Sequence, residues 1–200
     1  MRRLLLLWLA VNIVGFGVLG AMFHNFPVVY NVPPGPWRLG GFSLQPAILG
    51  GILFGAVPAM LVAFAQRWVL RPAVDLSWWW LGTVPVGVGL SHFMLDGYEY
   101  AADLSGAVFL GGLAMGLAQW AVLRRALSGS GWWIPACLLG WLVGWVVGVA
   151  ALESQHQLRV PWEGGLDFRQ HATLGLTIGI SYGLATGLVL ARRLRLLADG

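Results

Sequence analysis

Apolar positions run through this chain in six long stretches broken by short polar intervals, at roughly 4–23, 44–66, 78–96, 104–123, 132–152 and 172–191. A bilayer core of about 30 Å is crossed by about twenty helical residues. Each stretch meets that length, so the pattern predicts an all-α integral membrane protein, a six-helix bundle forming one transmembrane domain over 1–200. The first stretch has some look of a secretory signal, with Arg2 and Arg3 ahead of a leucine run and Gly20 and Ala21 after it. Its apolar core exceeds the roughly 7–15 residues of such a signal, and it is read as a span. Cleavage there would leave five spans in the same orientation.

Between the spans the charges separate. With the N-terminus in the cytoplasm, Arg2, Arg3, Arg67, Arg71, Arg124, Arg125, Arg192, Arg193 and Arg195 fall inside, and only Arg38, Arg159 and Arg169 fall outside. The positive-inside rule selects this orientation, with both termini cytoplasmic. Asp96, Glu99, Asp103, Glu153, Glu163 and Asp167 then lie on the outer side, together with His24, His156 and His171.

Composition agrees with a lipid solvent: 58% of the residues are apolar and 10% charged, against about 25% charged in soluble domains. A sequence pI near 10.0 would suggest a nucleic-acid binder in a soluble chain. Here the basic residues flank apolar spans and act as topology signals, so nucleic acid is not an expected partner. Cys137 is the only cysteine, which excludes an intrachain disulfide and a cysteine-built metal cage.

Part of the chain repeats. Gln66, Val69, Leu70, Arg71, Trp79 and Trp80 recur at constant offset as Gln119, Val122, Leu123, Arg124, Trp132 and Trp133. A fainter third copy matches Gly183, Leu184, Ala185, Val189 and Leu190 to Gly116, Leu117, Ala118, Val122 and Leu123. The second, fourth and sixth spans become equivalents, and a two-helix hairpin used three times in parallel becomes the expected unit, unlike the inverted repeats of many transporters. The run GLAQWAVLRR followed by GWW resembles a pattern in uncharacterised multi-spanning bacterial membrane proteins, Gly-Leu-x-Gln-x-x-Val-Leu-Arg with a Trp-Trp pair. The first copy departs from it at Pro72 and the third at Thr186. The resemblance implies a bacterial cytoplasmic (inner) membrane location and carries no activity.

Small residues recur every fourth position: Gly51, Gly55, Ala59 and Ala63; Ala136, Gly140, Gly144 and Gly148; and Gly175, Gly179, Gly183 and Gly187. Lipid provides little hydrophobic drive between helices, so such glycine-zipper stripes serve close backbone packing, within the chain or against a partner subunit or second copy. Trp141 and Trp145 flank one stripe and are expected to face lipid, with a partner or a bound isoprenoid or pigment as alternatives. Trp68, Trp78–Trp80, Trp132 and Trp133 sit at cytoplasmic span ends and are expected to anchor in the headgroup layer. Gln66 and Gln119, a polar repeat pair at one depth, are expected to bond across helices, with a polar ring at an inner vestibule as the alternative.

The outer side carries the candidate chemistry. His92 and Asp96 share a helical face, while Gly97 is placed to end that helix and Asp103 to cap the next. Glu153 and His156 form a Glu-x-x-His pair. Together with His171 these residues are the candidate ligands, His92, Asp96, Glu153, His156 and His171, for a divalent metal such as zinc, manganese or iron. Haem is less well served, because only His92 lies within a span while His24 and His171 border others. The proline-bearing interval from His24 to Ser43 and the interval from Glu153 to His171 could serve as docking surface or lid. Catalytic elbows, phosphate loops and His-Glu-x-x-His segments are absent.

Packing signals therefore outweigh chemical ones. The expectation is a non-catalytic inner-membrane accessory or binding subunit contacting a partner, lipid or small ligand. A small solute or ion transporter or channel, routed past Gln66, Gln119, Ser91 and His92, is the alternative, and an outward-facing metal or redox enzyme the second.

Overall fold

A computed structural model describes residues 1–24, 38–39, 42–43, 46–96, 104–154 and 168–198. Among these the fold is all-α, with six helices: α1 (Arg2–His24), α2 (Pro46–Leu70), α3 (Thr83–Asp96), α4 (Leu104–Leu123), α5 (Trp133–Ser154) and α6 (Phe168–Ala198). Two short strands, β1 (Arg38–Leu39) and β2 (Phe42–Ser43), pair antiparallel between α1 and α2.

The helices form a closed ring. Each packs against its sequence neighbours, and α6 returns to pack along α1 in the most extensive interface of the fold. Neighbours run antiparallel: Asn12 meets Gln66 and Gly15 meets Val62 between α1 and α2, while Trp8, Asn12, Phe16 and Gly20 of α1 meet Gly187, Gly179, Gly175 and His171 of α6. The antiparallel order places the start of α1 beside the ends of α2, α4 and α6.

Close approach explains the glycines on α5 and α6. A Cβ at Gly140 would stand 2.5 Å from the Cα of Tyr182, and one at Gly144 would collide with the Cα of Ile178. On the other side of α6, a Cβ at Gly175 would strike the carbonyl of Phe16 and one at Gly179 that of Asn12. The obstacles are backbone atoms, which cannot swing aside, so α6 is held between α5 and α1 at a distance that only glycine permits.

Local chemistry sets the helix ends. Pro72 disfavours helical geometry at Arg71, and α2 stops at Leu70, whose carbonyl accepts from the amides of Ala73 and Val74 at 2.9 Å. After α4 the Leu123 carbonyl accepts from Ala126 and Leu127 at 2.9 and 2.8 Å. The turn to α5 passes through Gly129 with φ of 67°, a left-handed conformation that costs a side chain strain. The third apolar stretch, expected as one helix over 78–96, instead opens with a 3-10 turn, Trp78–Gly82. Pro85 has no amide hydrogen to give the Leu81 carbonyl, so α3 starts at Thr83 with Pro85 in its first turn. Pro58 lies inside α2.

The outer surface of the ring is apolar, with Leu6, Val14, Leu61, Phe64, Val146, Leu184 and Leu188 among the large side chains it exposes. A surface of this kind belongs in lipid. Three helices among the described residues are long and apolar enough to cross a membrane, Arg2–Met22, Ser130–Ser154 and Phe168–Leu196, and Gly55–Leu70 and Val108–Leu123 are shorter apolar helices.

Substitution at the close approaches should therefore be costly. Gly144→Ala and Gly179→Ala are expected to lower stability by on the order of 2 kcal/mol each. Gly89→Ala, where an added Cβ meets nothing within 4 Å, should be neutral. Unfolding of the purified variants by SDS titration in mixed micelles, followed by tryptophan fluorescence, measures both.

Candidate functional site

Polar side chains from five helices converge inside the ring. α1 contributes Trp8 and Asn12, α2 Gln66, α4 Gln119, α5 Trp133 and Cys137, and α6 Tyr182 and Thr186, and every one is fully buried. Burying an amide or hydroxyl without a partner costs several kcal/mol, so the bonding of this cluster decides whether the interior is stable.

Gln119 is its centre. Its Oε1 accepts from the Tyr182 hydroxyl at 2.7 Å, the Trp133 Nε1 at 2.8 Å and the Cys137 thiol at 3.4 Å. An amide oxygen offers two lone pairs, and the two short bonds use them. The Gln119 Nε2 donates to Gln66 Oε1 at 3.4 Å, the Gln66 Nε2 to Asn12 Oδ1 at 2.7 Å, and the Asn12 Nδ2 to the Trp8 carbonyl at 2.7 Å. On the far side the Trp8 Nε1 donates to Thr186 Oγ1 at 3.0 Å, and that hydroxyl donates to the Tyr182 carbonyl at 2.6 Å.

Three indoles stack at this level. Trp133 makes edge contacts with Trp8 at 5.8 Å and with Trp80 at 6.3 Å between ring centroids. Trp80 and Trp133 were expected in the headgroup layer and are instead core residues, while their neighbours Trp79 and Trp132 are exposed. Consecutive residues point about 120° apart in a 3-10 turn and about 100° apart in an α-helix, so a pair at a helix start sends one ring inward and one outward. Trp141, expected to face lipid, is likewise buried, with an edge contact to Phe16 at 6.1 Å. Among the described residues the indole N–H groups of Trp80 and Trp141 have no partner.

The cluster holds hydrogen-bonding groups and, apart from the Cys137 thiol and the Tyr182 phenol, no titratable ones. It is built to fix helices against one another. Ser91, one of the residues on the alternative transport route, is buried in α3 and donates to the Gly87 carbonyl at 3.1 Å.

The expected metal ligands are placed only in part. Glu153 is exposed near the end of α5 and His171 is half-buried in the first turns of α6, both at the end of the ring opposite Arg67, Arg124 and Arg193. His92 and Asp96 belong to the last turns of α3, with side chains outside the described residues, and His156 lies outside them altogether, as do most of the two long outer intervals. Among the described residues no three of His, Cys, Asp and Glu come together.

Reading the residues alone found Gln66 and Gln119 and missed Trp8, Asn12, Tyr182 and Thr186. A signal was present: Trp8 and Asn12, Trp133 and Cys137, and Tyr182 and Thr186 are all pairs four apart, on one helical face. Thr186 stands where the third repeat departs from glutamine.

The chain matches no protein-family model, no curated protein and no solved structure.

Gln119→Leu removes the acceptor of Trp133 and Tyr182 and the donor to Gln66, and is expected to destabilise by about 3 kcal/mol. Cys137, fully buried, should resist a membrane-permeant maleimide in the folded protein and react at once in SDS. Unfolding curves and mass-shift assays on the same preparation check these two outcomes.

Proposed function

We propose that this protein is a non-catalytic accessory or binding subunit of a bacterial cytoplasmic (inner) membrane, with six membrane spans and both termini in the cytoplasm. The observation that carries the reading is the buried cluster around Gln119, whose polar groups are turned onto one another across five helices. A transport route needs polar groups available to a solute, and Gln66, Gln119 and Ser91 are committed to protein partners. The exposed apolar surface supports residence in lipid, and the arginine distribution supports the orientation.

The same reading takes the ring as three successive hairpins, α1–α2, α3–α4 and α5–α6, with Gln66, Gln119 and Thr186 in corresponding places. The matching hydrogen bonds after Leu70 and Leu123 support it, as do the glycine-zipper contacts that let the last hairpin close on the first.

Two measurements test the proposal. In proteoliposomes the purified protein should give no flux of ions or small solutes above protein-free vesicles, and after mild-detergent purification from native membranes it should carry a stoichiometric partner polypeptide. Solute-dependent flux without a partner would replace this reading with the transporter. For topology, Cys137→Ala leaves a cysteine-free chain. On that background Ser128→Cys should resist an impermeant maleimide in spheroplasts, and Ser154→Cys should label.

A further inference from the structure

The end of the ring formed by the start of α1 and the ends of α2, α4 and α6 gathers most of the basic charge. Arg2, Arg3, Arg67, Arg71, Arg124, Arg125, Arg192, Arg193 and Arg195 all lie there, and Asp75 is the one acidic residue among the described residues at that end.

These guanidinium groups divide by what holds them. Arg67 is fixed, donating from Nε and Nη2 to the Leu76 carbonyl at 3.1 and 2.9 Å with its guanidinium 3.9 Å above the Trp78 ring. Arg193 lies against the backbone of Gly129. Arg2, Arg3, Arg71, Arg124, Arg125, Arg192 and Arg195 are exposed, and among the described residues only Arg124 of these has a ring contact, with Trp120 at 5.2 Å. The protein supplies too little negative charge at this end to neutralise them.

At the same level stand exposed indoles: Trp68 and Trp132 are each 65% exposed, Trp78 64% and Trp79 81%. Immediately along the helices the surface turns apolar, through Leu6, Leu61, Phe64 and Leu188. An anion that satisfies such a surface carries its charge at the end of a long apolar body. Guanidinium groups take phosphate oxygens in paired hydrogen bonds, indoles favour the headgroup layer, and the aliphatic surface takes acyl chains. A nucleic acid or free phosphate would meet the arginines and leave the indoles and the apolar belt uncovered.

We propose that this end of the ring selectively binds anionic phospholipid, with phosphates taken by Arg71, Arg124 and Arg125 and acyl chains lying beside Trp79 and Trp132. The proposal rests on the membrane-spanning reading above and adds a defined lipid class to it.

The test uses the full chain in mixed micelles containing equal phosphatidylglycerol and phosphatidylcholine, with retained lipid counted by native mass spectrometry. Phosphatidylglycerol should be retained in preference, and the preference should shrink as salt rises. Each arginine changed among Arg71→Gln, Arg124→Gln and Arg125→Gln should weaken retention about fivefold, while Arg169→Gln at the opposite end should leave it unchanged. If the triple variant does not fold, Arg125→Gln alone gives the comparison, and a triple Arg→Lys variant, which keeps the charge, should keep the preference. Equal retention of the two lipids, or full retention by the glutamine variants, overturns the proposal while leaving the membrane reading intact. Release of the native chain from membranes by alkaline carbonate overturns both.

Discussion

Three side-chain amides in this protein point the same way along one line. Gln119 donates to Gln66, Gln66 to Asn12 and Asn12 to the carbonyl of Trp8. Both ends of the line are fixed. A backbone carbonyl only accepts, so Asn12 must present its amide nitrogen there, and Gln119 must present its oxygen to the hydroxyl of Tyr182 and the indole of Trp133. No amide between them can turn over without setting donor against donor or acceptor against acceptor, and bonds aligned in one direction polarise one another. The line joins α4, α2 and α1, and its Gln119 end gathers α5 and α6. Where the surrounding solvent gives little reason for helices to associate, this directional constraint gives the bundle one arrangement in preference to others of similar packing.

The amide line works only at close range, and the small residues of α5 and α6 supply the range. Gly140 and Gly144 bring the α6 backbone to α5, while Gly175 and Gly179 bring α1 to α6. Trp8 then reaches Thr186, and Tyr182 reaches Gln119. Dispersion contacts between backbones and hydrogen bonds between side chains are thus coupled: widening the α5–α6 gap by a methyl group lengthens the Tyr182 bond as well as opening a seam. The unsatisfied indole of Trp80 marks the limit of the design. Trp8 and Trp133 each find an acceptor on an even-numbered helix, whereas Gln66, on the helix preceding Trp80, is engaged by Asn12 and Gln119.

Helix positions were legible in the chain because long apolar stretches bounded by polar intervals fold as helices; the fourth, read as 104–123, coincides with α4 (Leu104–Leu123). Which helix touches which was not, since a helix apolar all round displays no face that names its neighbour. The two glutamines stood out by recurrence. Asn12, Tyr182 and Thr186 did not, because none of them recurs in the other copies of the repeat and each reads as incidental until its partner on another helix is known. Trp80 and Trp133 were misplaced for a different reason: an indole is equally suited to a core and to a membrane interface, and only the register of the turn decides. The outer residues His92, Asp96 and His156 lie where side chains or backbone fall outside the described set, so the metal reading of that face stands as it did from the sequence.

Ring closure also dictates an order of assembly. α1 leaves the ribosome before α6, the two separated by some 140 residues of chain, which at ordinary rates of elongation is on the order of ten seconds. During that interval the first hairpin can satisfy Asn12 through Gln66, but Thr186 does not yet exist to receive the indole of Trp8. The face of α1 that will meet α6 stays open until α6 has been made. Any factor that recognises unfinished copies of this protein has that face to hold, and the arrival of α6 is the event that releases it.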